Sequence, residues 1–105
     1  MSVDYRGFAA VGFRVTAEEV ATLSDENYET LMDNGTLILL DSWNTGGDYL
    51  FAYKQKTADE GTCTSILSLY NKLNYEYYKD FIDLFKSYFP NSEAQLDVFL
   101  ACQCY

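Results

Sequence analysis

Three observations predict an α+β fold. Four apolar, strand-like stretches occur along the chain, apolar residues of one further stretch recur in steps of four and three, and capping and turn residues separate these stretches. The chain has 105 residues, 49% apolar and 17% aromatic, enough to close one core without disulfide or metal staples. Residues 1–105 are therefore read as a single acidic α+β domain.

The first strand is expected over Phe8 to Val15, a β-branched and aromatic run between Gly7 and Thr16. Thr16 followed by Ala17-Glu18-Glu19 is a capping box, so a helix begins there. Ser24-Asp25-Glu26-Asn27 is a second cap, so the segment to Asp33 is read as two short helices or one kinked helix, ending at Asn34-Gly35. Thr36 to Trp43 and Tyr49 to Lys56 are strand-like and flank Asn44-Thr45-Gly46-Gly47-Asp48, which predicts a β-hairpin. After a loop at Thr57 to Gly61, Ile66, Tyr70, Leu73, Tyr77, Phe81, Leu84 and Tyr88 recur in steps of four and three. They predict one helical face, with Asn74 as an internal recap and Pro90 setting the end. A last strand is expected from Leu96 to the C-terminus, with Leu96, Val98, Leu100, Cys102 and Cys104 on one side and Asp97 exposed on the other.

The resulting order β-α-β-β-α-β predicts a ferredoxin-like arrangement, a four-stranded antiparallel sheet with two helices on one face. The opposite face would carry large aromatic side chains as well as polar ones, which suits a homodimer packed sheet to sheet.

Charge narrows the function classes further. Sixteen acidic residues stand against seven basic ones with no histidine, a formal charge of −9, which excludes nucleic-acid binding by a basic face. Nine of the acids and only two of the bases fall in residues 1–49. Glu18, Glu19, Asp25, Glu26, Glu29 and Asp33 follow one another with no lysine or arginine among them. A row of carboxylates on a rigid helix can take the place of nucleic-acid phosphates in a basic groove. The plainer alternative is a solvated helix face that maintains solubility.

Ten tyrosines are the second feature, with Tyr70, Tyr75, Tyr77, Tyr78 and Tyr88 near Lys72, Lys79 and Lys86. Tyr70, Tyr77 and Tyr88 fall on the predicted apolar stripe. Tyr75 and Tyr78 are expected to face solvent and form a second candidate contact, against the alternative of buried rings with wet hydroxyls.

Gly46-Gly47-Asp48-Tyr49-Leu50-Phe51 resembles part of the Gly-Gly-Asp/Glu-Glu-Phe hairpin of the nucleotide cyclases that make cyclic diguanylate. In that family the hairpin acids hold metal and approach substrate phosphates, and an aspartate on the first strand completes the metal site. Here Tyr49 stands in place of the second acid, and Ala9 to Val15 contains no aspartate. The glycines are accordingly read as turn residues. Cys63, Cys102 and Cys104 lack a metal-binding CxxC turn and are read as buried, reduced thiols. No nucleophile–base, HExxH, Walker or Rossmann pattern occurs, so no catalytic residue, metal site or cofactor is expected.

Residues Met1 to Gly7 do not form a signal or transit peptide, and no apolar run approaches a membrane span, so a cytoplasmic protein with no membrane partner is expected. The leading expectation is a non-catalytic protein that binds and inhibits or modulates a basic, nucleic-acid-binding host protein. In size, charge and tyrosine content the chain is similar in style to small phage and mobile-element inhibitors of host machinery. The partner-binding residues would be Glu18, Glu19, Asp25, Glu26, Glu29, Asp33, Tyr75 and Tyr78. A dimeric ligand-binding module and a carboxylate-metal enzyme near Asp41 and Asp48 are the alternatives.

Overall fold

The computed structural model describes residues 5–40, 47–59, 63, 65 and 76–104. The fold is α+β, and its elements in chain order are β1 (Tyr5–Val15), α1 (Ala17–Val20), α2 (Asp25–Asp33), β2 (Leu37–Leu40), β3 (Asp48–Asp59), α3 (Lys79–Tyr88) and β4 (Asp97–Cys104). The described strands form one sheet in the order β2-β3-β1-β4, and every neighbouring pair is antiparallel. The three described helices pack on one face of it.

Local chemistry sets the helix ends. Thr16 Oγ1 accepts from the Glu19 backbone N–H at 3.1 Å, and the Thr16 N–H donates to Glu19 Oε1 at 3.2 Å, completing the expected capping box. Ser24 Oγ accepts from the Asn27 N–H at 3.1 Å and starts α2, so the acidic segment is two helices. At the end of α3, Phe89 leaves the helical region with φ −130° and ψ 67°, as the residue before Pro90 must.

Strand alternation divides the sheet residues between two clusters. On the helix side, Ala9, Val11, Phe13 and Val15 of β1 join Leu37, Phe51, Val20, Leu31, Tyr78, Phe81, Ile82, Phe85 and Phe89. Phe13 and Phe85 stack with centroids 3.9 Å apart, and Phe51 meets Phe81, Phe85 and Phe89 within 6.0 Å. On the other face, Phe8, Ala10, Ile38, Leu50 and Ala52 form a second buried cluster, with Leu40, Phe99 and Ala101 packed against it. The expected open sheet face is thus buried at its centre within the single chain. A second copy packed sheet to sheet would have to engage the rim.

A register shift between Val11 and Gly12 inserts Tyr53 as an extra residue in β3, because Val11 pairs with Lys54 whereas Gly12 pairs with Ala52. Gly12 permits it: a Cβ there would overlap the Phe51 carbonyl oxygen and lie 3.0 Å from Ala52 Cα. Phe51 and Tyr53, two residues apart in β3, both lie on the helix side, where Tyr53 meets Tyr78 and Phe81.

Helix α3 is rotated by about one residue from the expected stripe. The buried positions are Tyr78, Phe81, Ile82, Phe85 and Phe89, whereas Tyr77 and Leu84 are exposed. Ile66, Tyr70, Leu73, Asn74 and Tyr75 lie outside the described residues, as do Asp41 to Gly46 of the expected hairpin. Strand β3 runs three residues beyond the expected Lys56, to Asp59.

Candidate functional site

The six acidic candidates lie on α1, α2 and their first turns. Glu18, Asp25, Glu26, Glu29 and Asp33 are exposed and Glu19 is half-buried, its carboxylate engaged in the Thr16 cap. Geometry explains why α2 turns these groups outward. Tyr28, Leu31 and Met32, spaced one helical turn apart, pack on the core. Asp25, Glu29 and Asp33, spaced i, i+4 and i+8, form a row on the remaining surface beside Glu26.

Electrostatically this row carries some cost in stability. Asp25 and Glu26 lie in the first turn of α2, where the helix dipole favours negative charge. Asp33 lies in the last turn, where it does not, and neither α1 nor α2 has a basic residue in its last turn. Each i,i+4 pair of like charges costs about 0.2–0.5 kcal/mol.

Beside α1, Glu19, Thr22, Tyr88, Phe89, Pro90 and Glu93 line an open cleft of about 550 Å³. It brings a carboxylate from the acidic segment and another from the α3–β4 connection around an aromatic ring. Among the described residues, no group of three or more histidine, cysteine, aspartate or glutamate side chains is placed to hold a metal ion.

The tyrosine pair requires correction. Tyr78, expected at the surface, is only 1% exposed and belongs to the main core. It precedes the first residue of α3, and the stripe through Phe81, Ile82, Phe85 and Phe89 carries it inward. Tyr75 lies outside the described residues. Cys63, expected buried, is exposed and free, because it follows β3 instead of occupying a core-facing strand position. Asp97 is exposed as expected, and its Oδ1 accepts from the Val98 N–H at 2.7 Å.

The described part of the Gly46–Phe51 motif has structural roles. Gly47 has φ +74°, a turn conformation. Asp48 Oδ2 accepts from Arg14 Nε at 3.1 Å and Nη2 at 2.8 Å, so its carboxylate faces a guanidinium. The Tyr49 hydroxyl shares a hydrogen bond of 3.2 Å with that of Tyr28. This bond, reinforced by burial and by the neighbouring phenol, pushes the Tyr49 pKa up to about 12.

The sequence reading missed an aromatic notch between β3 and α3. Tyr53, Tyr77, Tyr78, Asp80, Phe81 and Leu84 line about 240 Å³ there. Tyr53, Tyr77 and Leu84 are 53%, 46% and 44% exposed. The signal for it was the alternative apolar stripe through Ile82 and Phe85, which leaves Tyr77 and Leu84 outside.

Comparison with protein-family models, curated proteins and solved structures finds no match. No helix among the described residues is long and apolar enough to cross a membrane.

Proposed function

We propose that this chain is a non-catalytic interaction protein that docks its α1–α2 surface on a basic, nucleic-acid-binding protein and inhibits or modulates it. The observation that carries this reading is the outward row of Asp25, Glu29 and Asp33 on α2 beside Glu26, with Glu18 exposed on α1 and no base on either helix. Carboxylates fixed on a folded scaffold present a negative surface to a groove built for phosphates, and they lose little further freedom on binding. The cleft beside Glu19 and Glu93 gives one basic side chain of the partner a seat next to the Tyr88 ring. The protein acts in the cytoplasm, by occupancy and without a cofactor.

The scaffold is of the ferredoxin-like type. The β2-β3-β1-β4 order with antiparallel neighbours and helices on one face supports this assignment. The experiment that tests the function replaces Glu18, Glu19, Asp25, Glu26 and Glu29 by their amides. Binding to a basic partner is expected to be lost while the fold persists, and undiminished binding rejects the phosphate-like surface.

One observation favours a second reading, self-association as a dimeric regulatory module. Leu100 on β4 is 82% exposed on the helix side of the sheet, beyond the cover of the helices. Light scattering on wild type and Leu100→Asp tests it. A dimer that becomes monomeric in the variant supports self-association, and a wild-type monomer at high concentration rejects it.

A further inference from the structure

We infer that the notch between β3 and α3 is a seat for an arginine side chain of a basic protein partner. The inference rests on the partner being basic, as proposed above, but it concerns a different surface and a different chemistry.

Tyr78 is buried at the base of the notch, and two partly exposed tyrosines stand almost perpendicular to its ring. Tyr53 makes an interplanar angle of 87° with centroids 5.7 Å apart, and Tyr77 an angle of 82° at 4.8 Å. Tyr53 is further braced against Phe81, at 5.1 Å. These contacts brace rings that remain about half exposed, so a side chain that packs on them has little else to order.

Asp80 supplies a carboxylate at the same notch and Leu84 an apolar surface. Aromatic faces, one carboxylate and an apolar ledge match the three parts of an arginine side chain. The planar guanidinium stacks on a ring, its N–H groups donate to the carboxylate, and its methylene stem covers the leucine. Lysine satisfies only part of this set, because its compact, strongly hydrated ammonium neither stacks nor forms a fork. The net charge of −9 supports a cationic occupant over an anionic one. The notch thus adds side-chain selectivity to an interaction otherwise governed mainly by charge.

The test is a nuclear magnetic resonance titration of the isotope-labelled full chain with two blocked tripeptides, Gly-Arg-Gly and Gly-Lys-Gly. The arginine peptide is expected to shift the resonances of Tyr53, Tyr77, Asp80 and Leu84 saturably, and the lysine peptide to bind there about three- to fivefold more weakly. Tyr77→Leu keeps apolar bulk but removes the π face, and Asp80→Asn removes the charge. Each is expected to weaken the arginine peptide by a similar factor while the remaining spectrum stays dispersed. Tyr53→Leu provides a second test of the ring face should Tyr77→Leu disturb the start of α3. Equal shifts from both peptides at the notch, or none there at saturating concentration, overturn the inference. Shifts at Glu18, Asp25, Glu29 and Asp33 report separately on the acidic surface, so either site can fail without the other.

Discussion

A side chain on Gly12 has nowhere to go, since its Cβ would press on the Phe51 carbonyl oxygen in the neighbouring strand. Gly12→Ala is expected to cost about 1–3 kcal/mol, read as a lower denaturant midpoint, because backbone on both sides of the bulge must move. The hydrogen-bonded pair Tyr28 and Tyr49 makes a different prediction. Raising the Tyr49 pKa from 10.0 to about 12 means that folding favours its neutral form. The associated stability is complete below pH 10 and is lost as pH rises towards 12. An alkaline titration followed on the assigned Tyr49 ring resonances should show this tyrosine ionising late, and Tyr28→Phe should return it towards its ordinary range. If Tyr28→Phe leaves the late transition in place, the hydrogen bond is not its cause.

Helix α3 shows where sequence periodicity was informative and where it misled. Steps of four and three through Phe81 fit two adjacent stripes, one through Tyr77, Leu84 and Tyr88, the other through Tyr78, Ile82, Phe85 and Phe89. Tyrosine suits either core or surface, so counting it as apolar favoured the wrong stripe. The phenylalanines decide the matter by stacking on Phe13 and Phe51, contacts that depend on strands far away in sequence. Phe85→Ala should therefore cost about 3–5 kcal/mol and Leu84→Ala no more than about 1 kcal/mol in chemical denaturation. Equal costs would contradict the observed rotation. The caps at Thr16 and Ser24 and the stop at Pro90 were legible because each is a local interaction between near neighbours. The bulge was not, since Tyr53 becomes an extra residue only when β1 and β3 pair. The same distinction applies to the candidate site. The acidic row follows directly from residue spacing, whereas the burial of Tyr78 and the existence of the aromatic notch depend on how α3 meets the sheet. On α2, Asp33→Asn removes a charge from the unfavourable end of the helix and should add about 0.3–1 kcal/mol of stability. The same change should weaken partner binding, and a variant that gains stability without losing affinity would place Asp33 outside the contact.

The charge distribution of the whole chain links these parts to function. Net −9 on a 12.0 kDa fold repels itself, so the acidic surface is maintained against a cost in stability. Neutralising Glu18, Glu19, Asp25, Glu26 and Glu29 together should leave the fold as stable or more so, because relief of repulsion offsets the lost helix-dipole interactions of Asp25 and Glu26. An interaction carried by exposed charge should also weaken steeply between low and high salt. The decisive measurement is capture from a bacterial lysate by the tagged wild type and by this five-amide variant in parallel, washed at low and then high salt, with retained proteins identified by mass spectrometry. The account predicts a nucleic-acid-binding protein held by wild type at low salt, released at high salt and absent from the variant. Equal retention by the variant, retention indifferent to salt, or an empty eluate from wild type would contradict it.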